Sequence, residues 1–361
     1  MHLFIRRREC HLWTPPFTQL GAGHVGLHSP GKDEMRALIA ALFLATAAPA
    51  GADCSGQNMF EAMPAADRAA IHARADAEPF SRGNFWTATK DGRRVTLVGT
   101  YHLADPRHDP VVAALAPRIR SAATVLVEAG PDEEKALINH MAKNPSLMIL
   151  TETSLPELLP PDDWSQLSQA LRLRGIPGFV AAKFQPWYVS MLLATPSCKM
   201  KGEALHDGLD ARIMDEAKTS GVPIRALEPF DTVFRIFDQM PLAEQIDMIR
   251  YSLGMEDRVE DFSTTLADSY FAGESRVIWE LTRHEALRLS ADDPAQVEQD
   301  FILMEEIMMA ARNRGWVTVI EEAAGHGPTV AAFGALHLAG REGVANLLAQ
   351  RGWTVAPLAL P

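Results

Sequence analysis

Two stretches of this chain end in the same way. Val95 to Val98 runs into Gly99-Thr100-Tyr101-His102, and Thr329 to Phe333 runs into Gly334-Ala335-Leu336-His337. Each delivers an imidazole, the side chain best suited to proton transfer near neutral pH and a common metal ligand. The apolar, partly β-branched run before each glycine reads as a buried strand. The glycine ends the strand and lets the backbone turn. The histidine then lies just past the strand end, where open α/β sheets place their ligands. The expectation is that His102 and His337, from opposite ends of the chain, face one cavity.

Carboxylates follow strands in the same manner. Thr124 to Val127 ends in Glu128, and Val222 to Leu227 ends in Glu228. A glutamate there is costly to bury without a partner. His102, His337 and Glu128 are the expected metal set, completed by water. Imidazoles and a carboxylate suit zinc, manganese, cobalt or iron, and the sequence does not choose among them. A metal with an open position lowers the pKa of bound water and polarises a carbonyl. Glu128 is alternatively the general base. Arg312 is expected to pair with Glu128 or hold substrate, a charge near a helix C-terminus being the plainer reading. Tyr101, His108, Asp210 and Glu228 are expected to contact substrate or brace the site. His72, His140, His284 and His326 read as surface or packing residues. Gly-x-Ser-x-Gly, His-Glu-x-x-His and Cys-x-x-Cys are absent, which leaves other hydrolase, zincin and redox signatures without support.

These residues need a scaffold. The chain has 361 residues, 47% of them hydrophobic, with a net charge of −12 and no basic run that would favour nucleic acid. Phe85 to Thr89 and Arg94 to Val98 read as paired strands around an Asp91-Gly92 turn. Asp109 is expected to cap a helix from Pro110 to Ser121. The strand into Glu128 completes β-β-α-β, with His102 and Glu128 on neighbouring strands. Helical periodicity follows over Glu133 to Ala142, Asp162 to Arg174 and Val180 to Ala194. Leu209 to Ser220 and most of Asp231 to Arg314 also read as helix. Trp316 to Ala323 and Glu342 to Gln350 are the last helices, and Trp353 to Leu358 is the last strand. The fold class is α/β: a mixed β-sheet core with a large helical insertion or cap over roughly residues 131–314.

Met35 opens a stretch with one arginine, an apolar run from Ala37 to Ala48, and small residues at Ala50-Gly51-Ala52. This is the layout of a signal peptide over residues 35–52, cleaved after Ala52. The apolar run is too short to span a membrane comfortably. Residues 1–34 then read as a misassigned extension, and its P-loop-like Gly26 to Asp33 as chance. Export leaves Cys54 and Cys198 as an even pair in an oxidising compartment, and a disulfide between them is expected.

Taken together, these features resemble the TraB/PrgY/GumN family, which includes the Tiki proteins. The resemblance rests on Leu97 to His102, Val125 to Glu128, Gly208-Leu209-Asp210, Ala226-Leu227-Glu228, Arg312-Asn313 and Phe333 to Gly340. It implies a metal-dependent peptidase site at His102, His337 and Glu128; the expected cofactor is a divalent metal ion, manganese, cobalt or zinc. It also implies a sheet with a helical cap, like the erythromycin-esterase and ChaN-like folds. The expected function is a periplasmic or secreted hydrolase acting on a peptide or protein substrate. The alternative is a haem-, iron- or peptide-binding protein of the cell envelope, with a histidine or Tyr101 as an axial ligand.

Overall fold

Val95, Leu97 and Val98 have no exposed surface, so the strand that carries them is covered on both faces and belongs inside a sheet. In the computed structural model, which describes residues 54–200, 207–290 and 293–360, that sheet has six strands. They are β1 (Phe85–Lys90), β2 (Arg93–Thr100), β3 (Thr124–Val127), β4 (Ile224–Ala226), β5 (Thr329–Gly334) and β6 (Thr354–Pro357), in the order β4-β3-β5-β2-β1-β6. β1 joins β2 through Asp91 and Gly92, both at positive φ (49° and 75°), as a two-residue hairpin turn requires. β2, β5, β3 and β4 run parallel. The proposed signal peptide and the stretch before it lie outside the described residues. Among the described residues no helix is long and apolar enough to cross a membrane.

The neighbour relation expected of β2 and β3 needs correcting, because β5 lies between them. Thr329 to Phe333 are all buried, and a strand covered on both faces takes a central place. Parallel registers align the ends: Thr100 faces Gly334, Val127 faces Ala332, and Val127 also faces Ala226. The residues that follow β2, β3, β4 and β5 therefore leave the sheet at one edge.

Period-two alternation decides what covers each face. Leu97, Leu126, Ala331 and Phe333 pack with Trp316, Val317 and Ile320 of the helix Ala311–Ala324 and with Leu348 of Val344–Gln350. Val98, Val125, Val330 and Ala332 pack with Leu115 and Ile119 of His108–Arg120 and with Leu209 and Ile213 of Leu209–Thr219. A separate apolar cluster, including Leu155, Leu167, Val189 and Ile249, gives the inserted helices their own core.

Local sequence chemistry moves some boundaries. His108–Arg120 begins before Asp109, which sits in its first turn and pairs with Arg212 instead of capping it. Val180 to Ala194 is broken, because Pro186 lacks an N–H and starts a new helix, Pro186–Leu193. The helix with Trp316 starts earlier than expected, at Ala311, directly after a π-helical turn over Glu306–Ala310. Cys54 and Cys198 are disulfide-bonded, which ties the start of the described chain to the insertion.

Candidate functional site

The two Gly-x-x-His turns touch. A Cβ on Gly99 would lie 2.6 Å from Leu338 Cδ1 and 2.9 Å from Ala335 Cα. Gly99 is thus required for close approach, whereas the sequence suggested a need to turn. Gly334 marks the centre of the site. A Cβ there would lie 3.3 Å from Glu128 Oε1, 3.4 Å from His102 Nε2 and 3.7 Å from His337 Cδ2. The structure thus brings the ends of β2, β3 and β5 together around one point.

His102 is the open member, with its side chain 61% exposed. Its Nδ1 lies 3.0 Å from Asp210 Oδ1. Asp210 is in the first turn of Leu209–Thr219, and that helix is anchored to the His102 turn by Leu209 N–H donating to Tyr101 O at 3.0 Å. Surrounding protein opposes a charge on the ring. The Asp210 hydrogen bond and charge, with help from Glu128, outweigh it and lift the pKa to about 9. Nε2 is left facing the point before Gly334.

His337 is the closed member, only 5% exposed. Its Nδ1 lies 2.6 Å from Asn313 Oδ1, and Asn313 Nδ2 donates to Glu342 O at 2.8 Å. That second bond fixes the amide orientation, so Nδ1 carries the proton. Nε2 then accepts from Arg312 Nη1 at 3.2 Å. The ring packs on Trp316, 4.4 Å between centroids. Burial, reinforced by the Arg312 and His102 charges against Glu128, pushes the pKa down to about 4.

Glu128 accepts from Gly334 N–H through Oε1 and from Arg312 Nη2 through Oε2, each at 2.7 Å. Burial favours its neutral form. His337, Arg312 and His102, with the Gly334 N–H, override that and hold the pKa down to about 2. Arg312 also grips Glu228, with Nε to Oε2 at 2.9 Å and Nη2 to Oε1 at 2.7 Å. Its Nη1 donates to Met308 O at 3.1 Å, and its plane lies over Trp316, 4.8 Å from the centroid. The Met308 carbonyl comes from the π-helical turn, a distortion that often accompanies functional sites.

The other expected residues divide. Asp210 touches His102, and Glu228 touches Arg312 and Trp316. Tyr101 and His108 do not reach the central point. Tyr101 is buried, stacked on Tyr270 at 5.6 Å, and burial pushes its pKa up to about 12. His108 is fully buried, 3.2 Å from Leu103 O and packed on Phe271, and burial depresses its pKa. Both support the turn that presents His102. Asn313 enters the sequence reading only as part of the family pattern and Trp316 only as the start of a helix; neither is given a role in the site, although Trp316 is four residues from Arg312 and so on the same helical face.

The set of three expected ligands does not fit a metal ion as the side chains stand. Both His337 ring nitrogens are engaged, and one oxygen of Glu128 is held by Arg312. Among the described residues no group of three or more His, Cys, Asp or Glu side chains is placed to hold an ion. Two donors, His102 Nε2 and Glu128 Oε1, do face a common point.

No curated protein matches the chain. Compared with known families, residues 84–357 match the TraB/PrgY/gumN family. That span takes in all six strands and every residue around Gly334, and the chain belongs to the TraB/PrgY/gumN family.

Proposed function

We propose that the chain is an exported hydrolase that cleaves peptide bonds in a peptide or protein substrate, with its reacting centre before Gly334. One observation carries the reading: His102 Nε2 and Glu128 Oε1 face the same point at the ends of parallel strands, with Asp210 behind His102. An imidazole backed by a carboxylate and open at its other nitrogen is built to move a proton. With a pKa near 9, His102 carries that proton at neutral pH and delivers it to the leaving amine as the C–N bond breaks. Glu128, held near 2, is a weak base, and its task is to orient the attacking water by accepting a hydrogen bond from it. The proton that the water sheds as its oxygen bonds to the carbonyl carbon returns His102 to its charged form, so the cycle closes without net proton loss.

A divalent metal ion is what the family resemblance implies, with manganese, cobalt and zinc the candidates. An ion here would find two donors, His102 Nε2 and Glu128 Oε1, only once His102 gives up its proton, and no step above depends on one. The mixed sheet with inserted helices agrees with a relation to the erythromycin-esterase and ChaN-like folds. The Cys54–Cys198 bond agrees with a periplasmic or secreted location.

The test is mass spectrometry of a mixed peptide library incubated with the chain from Asp53, with chelator and with each of the three metals. Cleavage is expected in the wild type and not in His102→Ala. Binding of peptides with no cleavage under any condition would replace the hydrolase by the binding protein.

A further inference from the structure

We propose that Arg312 is the resident cation of this centre and occupies the place that the family resemblance assigns to a metal ion. The inference rests on the preceding reading only for where the centre lies, and not for the reaction there.

A guanidinium has five N–H donors and cannot accept. In Arg312 all five are engaged: Nε with Glu228, Nη2 with Glu228 and Glu128, and Nη1 with Met308 O and His337 Nε2. Four of these five bonds end on side chains that could otherwise ligate an ion. The side chain is 13% exposed, between Glu128 at 24% and Glu228 at 12%. A planar fork matched to two carboxylates and stacked on Trp316 is a complete site for a guanidinium.

The conflict with a metal is local. A bound ion would sit about 2.0–2.1 Å from a histidine nitrogen. The lone pair it needs on His337 Nε2 already points at Arg312 Nη1, 3.2 Å away. Ion and guanidinium therefore compete for one lone pair, and their like charges repel across a few ångströms in a poorly screened setting. Arg312 also has no donor left for substrate, so it neutralises Glu128 and Glu228 and sets His337 instead of gripping a ligand.

The experiment is metal uptake, measured by calorimetric titration and by metal content after dialysis, with Mn²⁺, Co²⁺ and Zn²⁺ tested separately. Wild type, His337→Ala, Arg312→Met, Arg312→Lys and the double variant Arg312→Met/His337→Ala are compared, each checked for native circular dichroism. The wild type is expected to show no uptake that depends on His337. Arg312→Met removes the competing charge and frees Nε2, so affinity rises at least about tenfold. The double variant loses that gain. Arg312→Lys keeps the charge and stays close to the wild type.

A wild-type equivalent of metal that disappears in His337→Ala would overturn the proposal, whatever the fate of Arg312→Met. So would a folded Arg312→Met variant with no gain, or a Lys variant that gains as much as the Met variant. Peptide cleavage is a separate readout. Its failure sinks the hydrolase reading and leaves the identity of the cation to the uptake data.

Discussion

His102 and His337 close the same four-residue pattern on adjacent parallel strands, yet their rings sit in opposite settings. His102 is mostly exposed, backed by a carboxylate, and lifted to a pKa of about 9. His337 is buried, set between an amide oxygen and a guanidinium, and pushed down to about 4. The motif fixes where a ring is delivered. Its charge is set by what another element brings: Leu209–Thr219 brings Asp210, and Ala311–Ala324 brings Arg312 and Asn313. At neutral pH one imidazole is a proton donor and the other a neutral acceptor.

The sharpest way to break this division is to delete each ring. His102→Ala should lower peptide cleavage by about 10²–10⁴-fold, the usual contribution of a positioned acid or base. Its melting temperature should barely move, because the ring is largely exposed. His337→Ala should instead unfold more readily, by about 2–4 kcal/mol. It strands a buried Asn313 oxygen and an Arg312 N–H and opens a cavity beside Trp316. Thermal melts and cleavage rates on the same preparations decide it. Equal destabilisation by the two substitutions would show that the two rings do not differ as described.

The point between the rings gives a second test. Gly334→Ala places a methyl 3.3 Å from Glu128 Oε1 and 3.4 Å from His102 Nε2, tighter than ordinary contact. It occupies the spot assigned to the attacking water. Cleavage should fall by about tenfold or more, while stability drops by roughly 1–2 kcal/mol from mild overpacking. An active Gly334→Ala enzyme would move the reacting centre elsewhere.

What the sequence revealed follows the same line. His102, His337 and Glu128 were legible because strand patterns are local, and a polar residue just past a buried run is picked out by its position. The central place of β5 was not legible. Strand order follows from which strand can be covered on both faces, and that is settled by Trp316 packing on one face from the preceding helix and Val111 on the other from a distant segment. The role of Gly99 was misread for a related reason: its tight neighbour, Leu338, is far away in sequence. The charge states were hidden most completely. Nothing near His337 in sequence announces Arg312, and nothing near His102 announces Asp210.

A smaller effect probes the carboxylate behind His102. Asp210→Asn removes the negative charge and keeps the size. The His102 pKa should fall toward the ordinary imidazole value, since the Asp210 bond and charge are what outweigh the surrounding protein's opposition to a charged ring. Proton-detected NMR of the histidine ring carbons follows the titration directly. The alkaline limb of the pH–rate profile should move down with it. A His102 titration unchanged in Asp210→Asn would place the source of the shift in Glu128 alone.

The smallest effect is on stability against pH, where the two histidines pull in opposite directions. His337 titrates at 6.5 when unfolded and at about 4 when folded. Between those values the unfolded chain holds the extra proton, so stability is lost as pH falls through this window. Glu128, lowered from 4.5 to about 2, adds to the loss at the acid end. His102 is raised from 6.5 to about 9, so its contribution is full below 6.5 and disappears as pH rises through 9. Its exposure weakens that alkaline limb through solvent screening. Denaturant midpoints from pH 4 to 10 should therefore peak near 6.5. His102→Ala should flatten only the alkaline side, and His337→Ala only the acid side. A histidine substitution that flattens the opposite limb would mean that the assignments of donor and acceptor are reversed.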